Sequence, residues 1–218
     1  MTDRIINILL VDDHAIVREG YRALLSKQAG LQVVAEAENG MDAYQAYKQG
    51  AVDLVITDLS LPGLSGIELI GKIKQRDDQA RILVFSMHQN AGFALQACRA
   101  GALGYVSKSS PPTELLNAIY AVHAGQPFLS ADIAQAMALE KLNGEAFALE
   151  TLTPREFEIL RLLTAPKSTA EIAQILSISP KTVSNCHYLI KKKLGVDSDI
   201  ELIRLAIRLE VINLVSYL

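Results

Sequence analysis

The sequence predicts a doubly wound α/β fold with a five-stranded parallel sheet, followed by a small all-α domain of four helices. Over residues 5–124, short apolar segments alternate with amphipathic segments of helical period. This alternation is typical of a parallel sheet covered by helices on both faces. Acidic residues directly follow several of the apolar segments, and no further strand pattern occurs after Gly125.

The five predicted strands are short and mostly apolar, as strands buried on both faces should be. They cover residues 5–11, 31–37, 54–57, 81–86 and 104–107. The helices between and after them are predicted at residues 15–26, 40–47, 66–76, 91–100 and 112–124. Proline at the start of the last helix and glycine after its end support that assignment.

The second half contains helix signals alone. Residues 126–149 are predicted to form a linker, partly helical, between a domain of residues 1–125 and one of residues 150–218. Thr153 and Glu156 form a capping-box pattern around Pro154 and begin the first helix of the second domain. The four helices are predicted at about residues 154–165, 168–176, 179–194 and 199–212.

Composition excludes several classes of protein. The 218 residues are 50% hydrophobic with a net charge of −3, which predicts a packed soluble protein. No apolar run approaches the roughly 20 residues of a membrane helix, and the N-terminus lacks a signal-peptide pattern. The two cysteines and four histidines show no metal-ligand spacing. We therefore expect a cytoplasmic protein, and any case for nucleic-acid binding must rest on local placement of charge.

Three acids are predicted to meet at one edge of the sheet. Asp12, Asp13 and Asp58 follow the ends of strands, and Ser86 and Lys108 end the fourth and fifth strands. The carboxyl ends of parallel strands converge. Carboxylates that stay ionised together require a cation, and hard oxygen ligands suit Mg²⁺ or Mn²⁺. Asp58 is the predicted nucleophile and would become an acyl phosphate, with Lys108 and Ser86 contacting the phosphoryl oxygens.

Each residue alone has a simpler explanation. An Asp-Asp pair after a strand is often a helix N-cap, a single aspartate after a strand is often a turn residue, and a single lysine usually lies on the surface. Their joint placement favours the site.

The third helix of the second domain has a polar, basic face. Lys181, Ser184, Asn185, Tyr188 and Lys192 fall at helical spacing on one side. Short polar groups at the start of such a helix can reach base edges in a major groove, and lysines further on can contact phosphates. With Thr182 and Lys191, these are the predicted DNA-binding residues, although any solvated amphipathic helix could show the same pattern.

The first half resembles the receiver domain of two-component response regulators, a flavodoxin-like fold. The resemblance is carried by residues 11–14, Asp58 with Pro62, Gly63 and Gly66, Ser86, and residues 104–108. It implies phosphorylation at Asp58 and Mg²⁺ held by Asp13, Asp58 and the backbone carbonyl of Ser60, with Asp12 close by. It also implies that Ser86 and Tyr105 move together on phosphorylation.

The second half resembles the LuxR-type helix-turn-helix domain, with the motif at about residues 168–188. The matching segments are residues 152–156, 171–173, 176–179, 182–183 and 193–196. The whole chain then resembles a NarL/FixJ-type response regulator. Residues 166–170, Ser184 and Cys186 depart from the usual pattern, and the last two replace basic residues, so weaker phosphate contacts are expected.

The resemblance implies a transcription regulator rather than an enzyme, one that catalyses only its own phosphoryl transfer and dephosphorylation. Its implied partners are a sensor histidine kinase or phosphotransfer protein, a double-stranded operator, and a second copy of the chain when phosphorylated, with no membrane contact. Two alternatives stay open. The chain could be a phosphoryl-transfer enzyme with a helical lid, or a DNA-binding protein whose receiver only dimerises.

Overall fold

The computed structural model describes residues 5–143, 149–209 and 211. It contains two units. One comprises the residues up to 88 together with residues 97–132, and the other comprises residues 89–96 together with those from 133 onward. The domain boundaries near residues 125 and 150 stay predictions. Every helix in the described ranges is too short or too polar to cross a bilayer.

The first unit contains a parallel sheet with the strand order β2-β1-β3-β4-β5-β6. The strands are β1 (Ile6–Val11), β2 (Leu31–Ala37), β3 (Leu54–Thr57), β4 (Ile82–Ser86), β5 (Gly104–Ser107) and β6 (Phe128–Leu129). The helices up to residue 143 are α1 (Ala15–Leu25), α2 (Gly40–Gln49), α3 (Gly66–Arg76), α4 (Ala91–Ala100), α5 (Pro112–His123) and α6 (Ala131–Asn143). The predicted α/β class, its first five strands and the helices that follow them are confirmed.

The prediction of five strands was short by one. β6 lies within the segment predicted to be a linker and pairs in parallel with β5. The Phe128 N–H donates to the Leu103 carbonyl (3.2 Å), and the Ser130 N–H donates to the Tyr105 carbonyl (2.9 Å). A strand of two residues carries no alternation that a sequence pattern could detect.

Alternate residues of each strand supply the two faces of the sheet. Ile8 and Leu10 of β1 lie in an apolar cluster with residues of α1 and α5, such as Leu25 and Ile119. The intervening Leu9 is also fully buried and faces the other side, because side chains alternate along a strand. Burial on both faces explains why the central strands are almost wholly apolar.

The second unit contains the four predicted helices, α7 (Pro154–Leu163), α8 (Thr169–Ile175), α9 (Pro180–Leu194) and α10 (Asp199–Arg208). Thr153, Ser168, Ser179 and Ser198 cap them, each accepting a backbone N–H three residues on. Gly195 ends α9 in the left-handed conformation (φ 67°), which glycine adopts without steric cost. The predicted end of the last helix near residue 212 lies outside the described residues.

Candidate functional site

Four polar side chains predicted to lie at the carboxyl edge of the sheet are in contact there. Asp12 follows β1, Asp58 follows β3, Ser86 ends β4 and Lys108 follows β5. Asp12, Asp58 and Ser86 are buried, with 3%, 4% and 0% of their surface exposed. Buried carboxylates are unfavourable unless charges or hydrogen bonds compensate, so their contacts decide whether the site is stable as a charged cluster.

Both carboxylate oxygens of Asp58 are engaged. Oδ1 accepts hydrogen bonds from the Ser86 hydroxyl (2.6 Å) and the Leu59 N–H (2.6 Å). Oδ2 accepts from the Lys108 ammonium (2.5 Å), which also contacts Asp12 Oδ2 (2.6 Å). One buried ammonium therefore bridges two carboxylates that follow different strands, and the three groups together keep a net charge of −1 when both acids are ionised.

The Lys108 contacts determine the charge state of the site. Burial alone would raise the pKa of Asp58, but the charge of Lys108 and the hydrogen bonds from Lys108, Ser86 and the Leu59 N–H hold it below its ordinary value of 3.8. Burial alone would lower the pKa of Lys108, but the two carboxylates raise it above 10.5. Asp58 is consequently an ionised carboxylate and Lys108 an ammonium at neutral pH.

A close approach of the chain positions Asp58. A Cβ on Gly66 would overlap the Asp58 carbonyl oxygen and lie 2.7 Å from the Leu59 Cα. The Gly66 N–H donates to the Leu59 carbonyl (3.0 Å), and Ser65 begins α3 with a capping box to Glu68. Glycine is therefore required where the first turn of α3 packs on the residue carrying the carboxylate.

Within the part of the chain that the structure describes, Asp12, Asp13 and His14 form a group whose candidate ligand atoms all lie within 4.8 Å of one another. His14 Nδ1 lies 2.8 Å from Asp13 Oδ1 and 3.4 Å from Asp12 Oδ1. The ligand set of Asp12, Asp13, Asp58 and the Ser60 carbonyl stays a prediction, and Lys108 lies against both Asp58 and Asp12. The carboxylate oxygens are hard donors of the kind Mg²⁺ or Mn²⁺ takes, and thus fit such an ion chemically.

His88 belongs to this site but was not predicted. Its Nε2 lies 2.9 Å from the Ser60 hydroxyl, its carbonyl accepts the Tyr105 hydroxyl (2.8 Å), and its N–H lies 3.5 Å from Ser86 Oγ. The sequence carried no periodic signal for this contact, because Ser60 and His88 lie in loops that follow β3 and β4.

Ser86 and Tyr105, the two residues expected to move together, both lie in the interior. The Ser86 hydroxyl donates to Asp58 Oδ1, and the Tyr105 side chain is fully buried. Burial, together with the charge of Asp58, raises the pKa of Tyr105 above its ordinary value, so its hydroxyl is a proton donor to the His88 carbonyl at physiological pH.

In the second unit, α9 exposes the predicted DNA-binding face. On the opposite side of the helix, Val183 and Ile190 are buried, and Cys186 and Leu194 are half-buried. Six of the predicted DNA-binding residues are exposed, namely Lys181, Thr182, Ser184, Asn185, Tyr188 and Lys192. The Ser184 hydroxyl donates to the Pro180 carbonyl within the helix (3.1 Å).

The lysines at the end of α9 differ in their surroundings. Lys191, the seventh predicted DNA-binding residue, contacts Asp199 Oδ1 (2.9 Å), which also lies 3.0 Å from His187 Nε2. Lys193 contacts Glu156 Oε2 (2.5 Å), the carboxylate that completes the capping box of α7. Lys192 is exposed on the polar face. These lysines therefore differ in how readily they can reach a phosphate.

Comparisons with known families and proteins cover both halves of the chain. Residues 8–120 match the response regulator receiver domain, and residues 150–206 match the bacterial regulatory proteins of the luxR family. The chain is 39% identical to the response regulator UvrY of Escherichia coli strain K12 over 205 residues, covering 93% of this chain and 94% of UvrY.

Solved structures agree with these matches. RcsB from Salmonella enterica serovar Typhimurium, bound to promoter rprA in the presence of phosphomimetic BeF3⁻, is similar with a TM-score of 0.73 and 30% identity over 93% of this chain and 98% of that one. A structure of two RcsB dimers bound to two parallel DNAs is similar with a TM-score of 0.60 and 29% identity, over 96% and 100% of the two chains. The chain belongs to the response regulators of the NarL/FixJ type, in which a receiver domain precedes a LuxR-type helix-turn-helix domain.

Proposed function

We propose that phosphorylation of Asp58 by a sensor histidine kinase or phosphotransfer protein controls the affinity of this chain for a double-stranded operator. The observation that carries the proposal is the pairing of Asp58 with Lys108 and Ser86 in a chain that also exposes the polar face of α9. We define that face as Lys181, Ser184, Asn185, Tyr188 and Lys192.

The chemistry is transfer of a phosphoryl group to a carboxylate. An oxygen of Asp58 attacks phosphorus, a P–O bond forms, and the P–N bond to the donor imidazole breaks as that ring takes up a proton. Asp58 is already ionised and needs no base. Lys108 and Ser86 both contact it and are placed to bind the phosphoryl oxygens.

Asp12, Asp13 and Asp58, with the Ser60 carbonyl, are the residues that would hold Mg²⁺ or Mn²⁺. The ion would supply positive charge against the phosphoryl oxygens. Other side chains contact the same carboxylates: Lys108 pairs with Asp12 and Asp58, and His14 lies against Asp13. His14 is exposed and can turn away without disturbing the buried pair.

The added charge would be transmitted through Ser86 and Tyr105. A phosphoryl group has more acceptor oxygens than the carboxylate and carries more negative charge, so it favours the inward position of Ser86 and the buried position of Tyr105. This bias toward one of two arrangements is how a local modification changes a distant property. We propose that the property changed here is pairing of two copies on a two-half-site operator.

DNA binding by the polar face of α9 is supported by its exposure and by the RcsB structures bound to DNA. We propose that Thr182 and Lys191 contact the same DNA. The chain is proposed to turn over no other substrate. Its proposed site of action is the cytoplasm.

The test is to treat the full chain with acetyl phosphate and Mg²⁺ and to follow mass, oligomeric size and DNA affinity at fixed salt. The DNA is a duplex selected from a random library by the treated protein. We expect gain of one phosphoryl group, a dimer, and an affinity increase of about 5- to 150-fold, the usual range for coupled sites. Full phosphorylation without any change in DNA affinity would exclude the proposal.

Lys192 and Lys193 provide a matched pair of neighbours. Lys192→Ala should reduce the slope of log affinity against log salt by about 0.9 for each bound copy, the value for one lost phosphate contact on duplex DNA. Lys193→Ala should leave the slope unchanged, because Glu156 already engages that ammonium. Equal slopes for Lys192→Ala and the unmodified chain, measured by fluorescence anisotropy, would remove Lys192 from the DNA contact.

A further inference from the structure

One acidic side chain contacts two residues of helix α9 at the same time. Asp199 Oδ1 lies 2.9 Å from Lys191 Nζ and 3.0 Å from His187 Nε2. His187 and Lys191 are four residues apart, so they lie on the same side of the helix. Asp199 is the first residue of α10. A single carboxylate oxygen therefore joins the start of α10 to the second half of α9.

The Lys191–Asp199 ion pair lies at the surface of the second unit. The side chain of Asp199 is 65% exposed and that of Lys191 is 24% exposed. The hydrogen bond from Lys191 is the largest of the causes that hold the pKa of Asp199 below its ordinary value of 3.8, so the carboxylate is charged at neutral pH. An ion pair this exposed is weak enough to exchange partners, yet it must be broken before Lys191 can bind another anion.

The neighbouring lysine provides a contrast. Lys192 is exposed on the polar face of α9 and can offer its ammonium to a DNA phosphate directly. Lys191 must first leave Asp199, and the carboxylate then left behind repels the phosphate that takes its place. Both effects make a phosphate contact by Lys191 weaker than one by Lys192.

We propose that Asp199 limits the affinity of this chain for DNA by competing with a backbone phosphate for the Lys191 ammonium. The step is an exchange of ion pairs without covalent change: the contact between Lys191 and Asp199 opens, and the ammonium binds a phosphate oxygen. Asp199 acts through Lys191 and is a positioning residue. The inference rests on the proposed DNA binding by α9.

The test uses the full chain treated with acetyl phosphate and Mg²⁺, and it measures affinity for the selected duplex by fluorescence anisotropy at one salt concentration. Asp199→Asn removes the charge and keeps an oxygen beside His187. Its affinity should rise by about 1.5- to 5-fold for each bound copy, the range for one exposed ion pair that no longer has to be broken. Asp199→Glu keeps the charge and should bind like the unmodified chain.

Asp197 provides a matched control, because it is an exposed acid two residues before Asp199. Asp197→Asn removes the same charge and should raise the affinity by less than Asp199→Asn does. The difference between the two variants should disappear when each is combined with Lys191→Ala, because the competition requires the ammonium. This double-mutant cycle separates competition for Lys191 from the general effect of removing a negative charge near DNA.

Lys191→Ala tests the proposal without altering α10. It should lower the affinity by less than Lys192→Ala, because a contact that first breaks an ion pair gains less. A rise in Asp199→Asn no larger than in Asp197→Asn, a difference between them that persists without Lys191, or a greater loss in Lys191→Ala than in Lys192→Ala would each overturn the role of Asp199. A treated unmodified chain that selects no duplex would instead overturn the proposed function, and this inference with it.

Discussion

Asp58→Ala is expected to abolish phosphoryl incorporation, lowering it by more than about a hundredfold because the attacking oxygen is removed. Asp58 alone among the neighbouring acids contacts both Lys108 and Ser86. Asp12 contacts the Lys108 ammonium through Oδ2 and accepts a hydrogen bond from the His14 N–H through Oδ1. The measurement is mass gain after treatment with acetyl phosphate and Mg²⁺, followed by mapping of the modified peptide.

The same variant tests the alternative in which the receiver only dimerises. If phosphorylation controls DNA binding, Asp58→Ala treated with the donor should keep the affinity of the untreated chain for the selected duplex, below that of the treated unmodified chain. If the receiver only dimerises, treated Asp58→Ala and the treated unmodified chain should bind the duplex with equal affinity. Asp78→Ala, which removes an exposed carboxylate from the end of α3, is the control and should retain normal incorporation. Label retained in Asp58→Ala would place the modification elsewhere.

The sequence predicted the location of those polar site residues that lie at the ends of strands. Asp12, Asp58, Ser86 and Lys108 could be placed at one edge from their positions at the ends of predicted strands, because the carboxyl ends of parallel strands converge. The two-residue strand β6 was not predicted, because it is a strand by its pairing with β5 and not by a sequence pattern of its own. The position of His88 was not predicted, because its contact with Ser60 joins two loops 28 residues apart. Hydrophobic periodicity predicts helices and strands but not contacts between loops.

Sequence patterns also gave little indication of which carboxylate each lysine contacts. Lys108 was expected to contact a phosphoryl group, and in the structure it bridges the carboxylates of Asp12 and Asp58. Lys191 was predicted with Lys192 to bind DNA, but Lys191 lies against the carboxylate of Asp199. Which charges pair depends on side-chain geometry between elements, so it requires coordinates.

Lys108→Met is expected to lower the stability of the receiver sheet by about 3 kcal/mol at pH 7 without added divalent cation, the lower end of the range for breaking a buried pair. The thioether fills similar volume but leaves the carboxylates of Asp12 and Asp58 buried without their cation. Phosphoryl incorporation should fall as well, because the compact positive charge beside the nucleophile is lost. Hydrogen-exchange mass spectrometry of the β1 and β3 amides measures the opening free energy directly.

The pH dependence of the stability deficit in Lys108→Met shows whether uncompensated charge or lost packing causes it. In the unmodified chain the folded-state pKa of Asp58 is below 3.8, so its contribution to stability is present above that value and is lost as pH falls through the lower, folded-state pKa. In Lys108→Met, the charge and hydrogen bond of Lys108 no longer oppose burial, so the folded-state pKa of Asp58 should rise. The penalty is then full at neutral pH and shrinks as Asp58 becomes protonated. The difference between the two proteins should therefore narrow as the pH falls from 7 toward 3.8, the ordinary value of Asp58. Lys27→Met, on an exposed lysine after α1, should show no such difference over this range. A deficit in Lys108→Met that is independent of pH would mean that lost packing, rather than uncompensated charge, explains the instability.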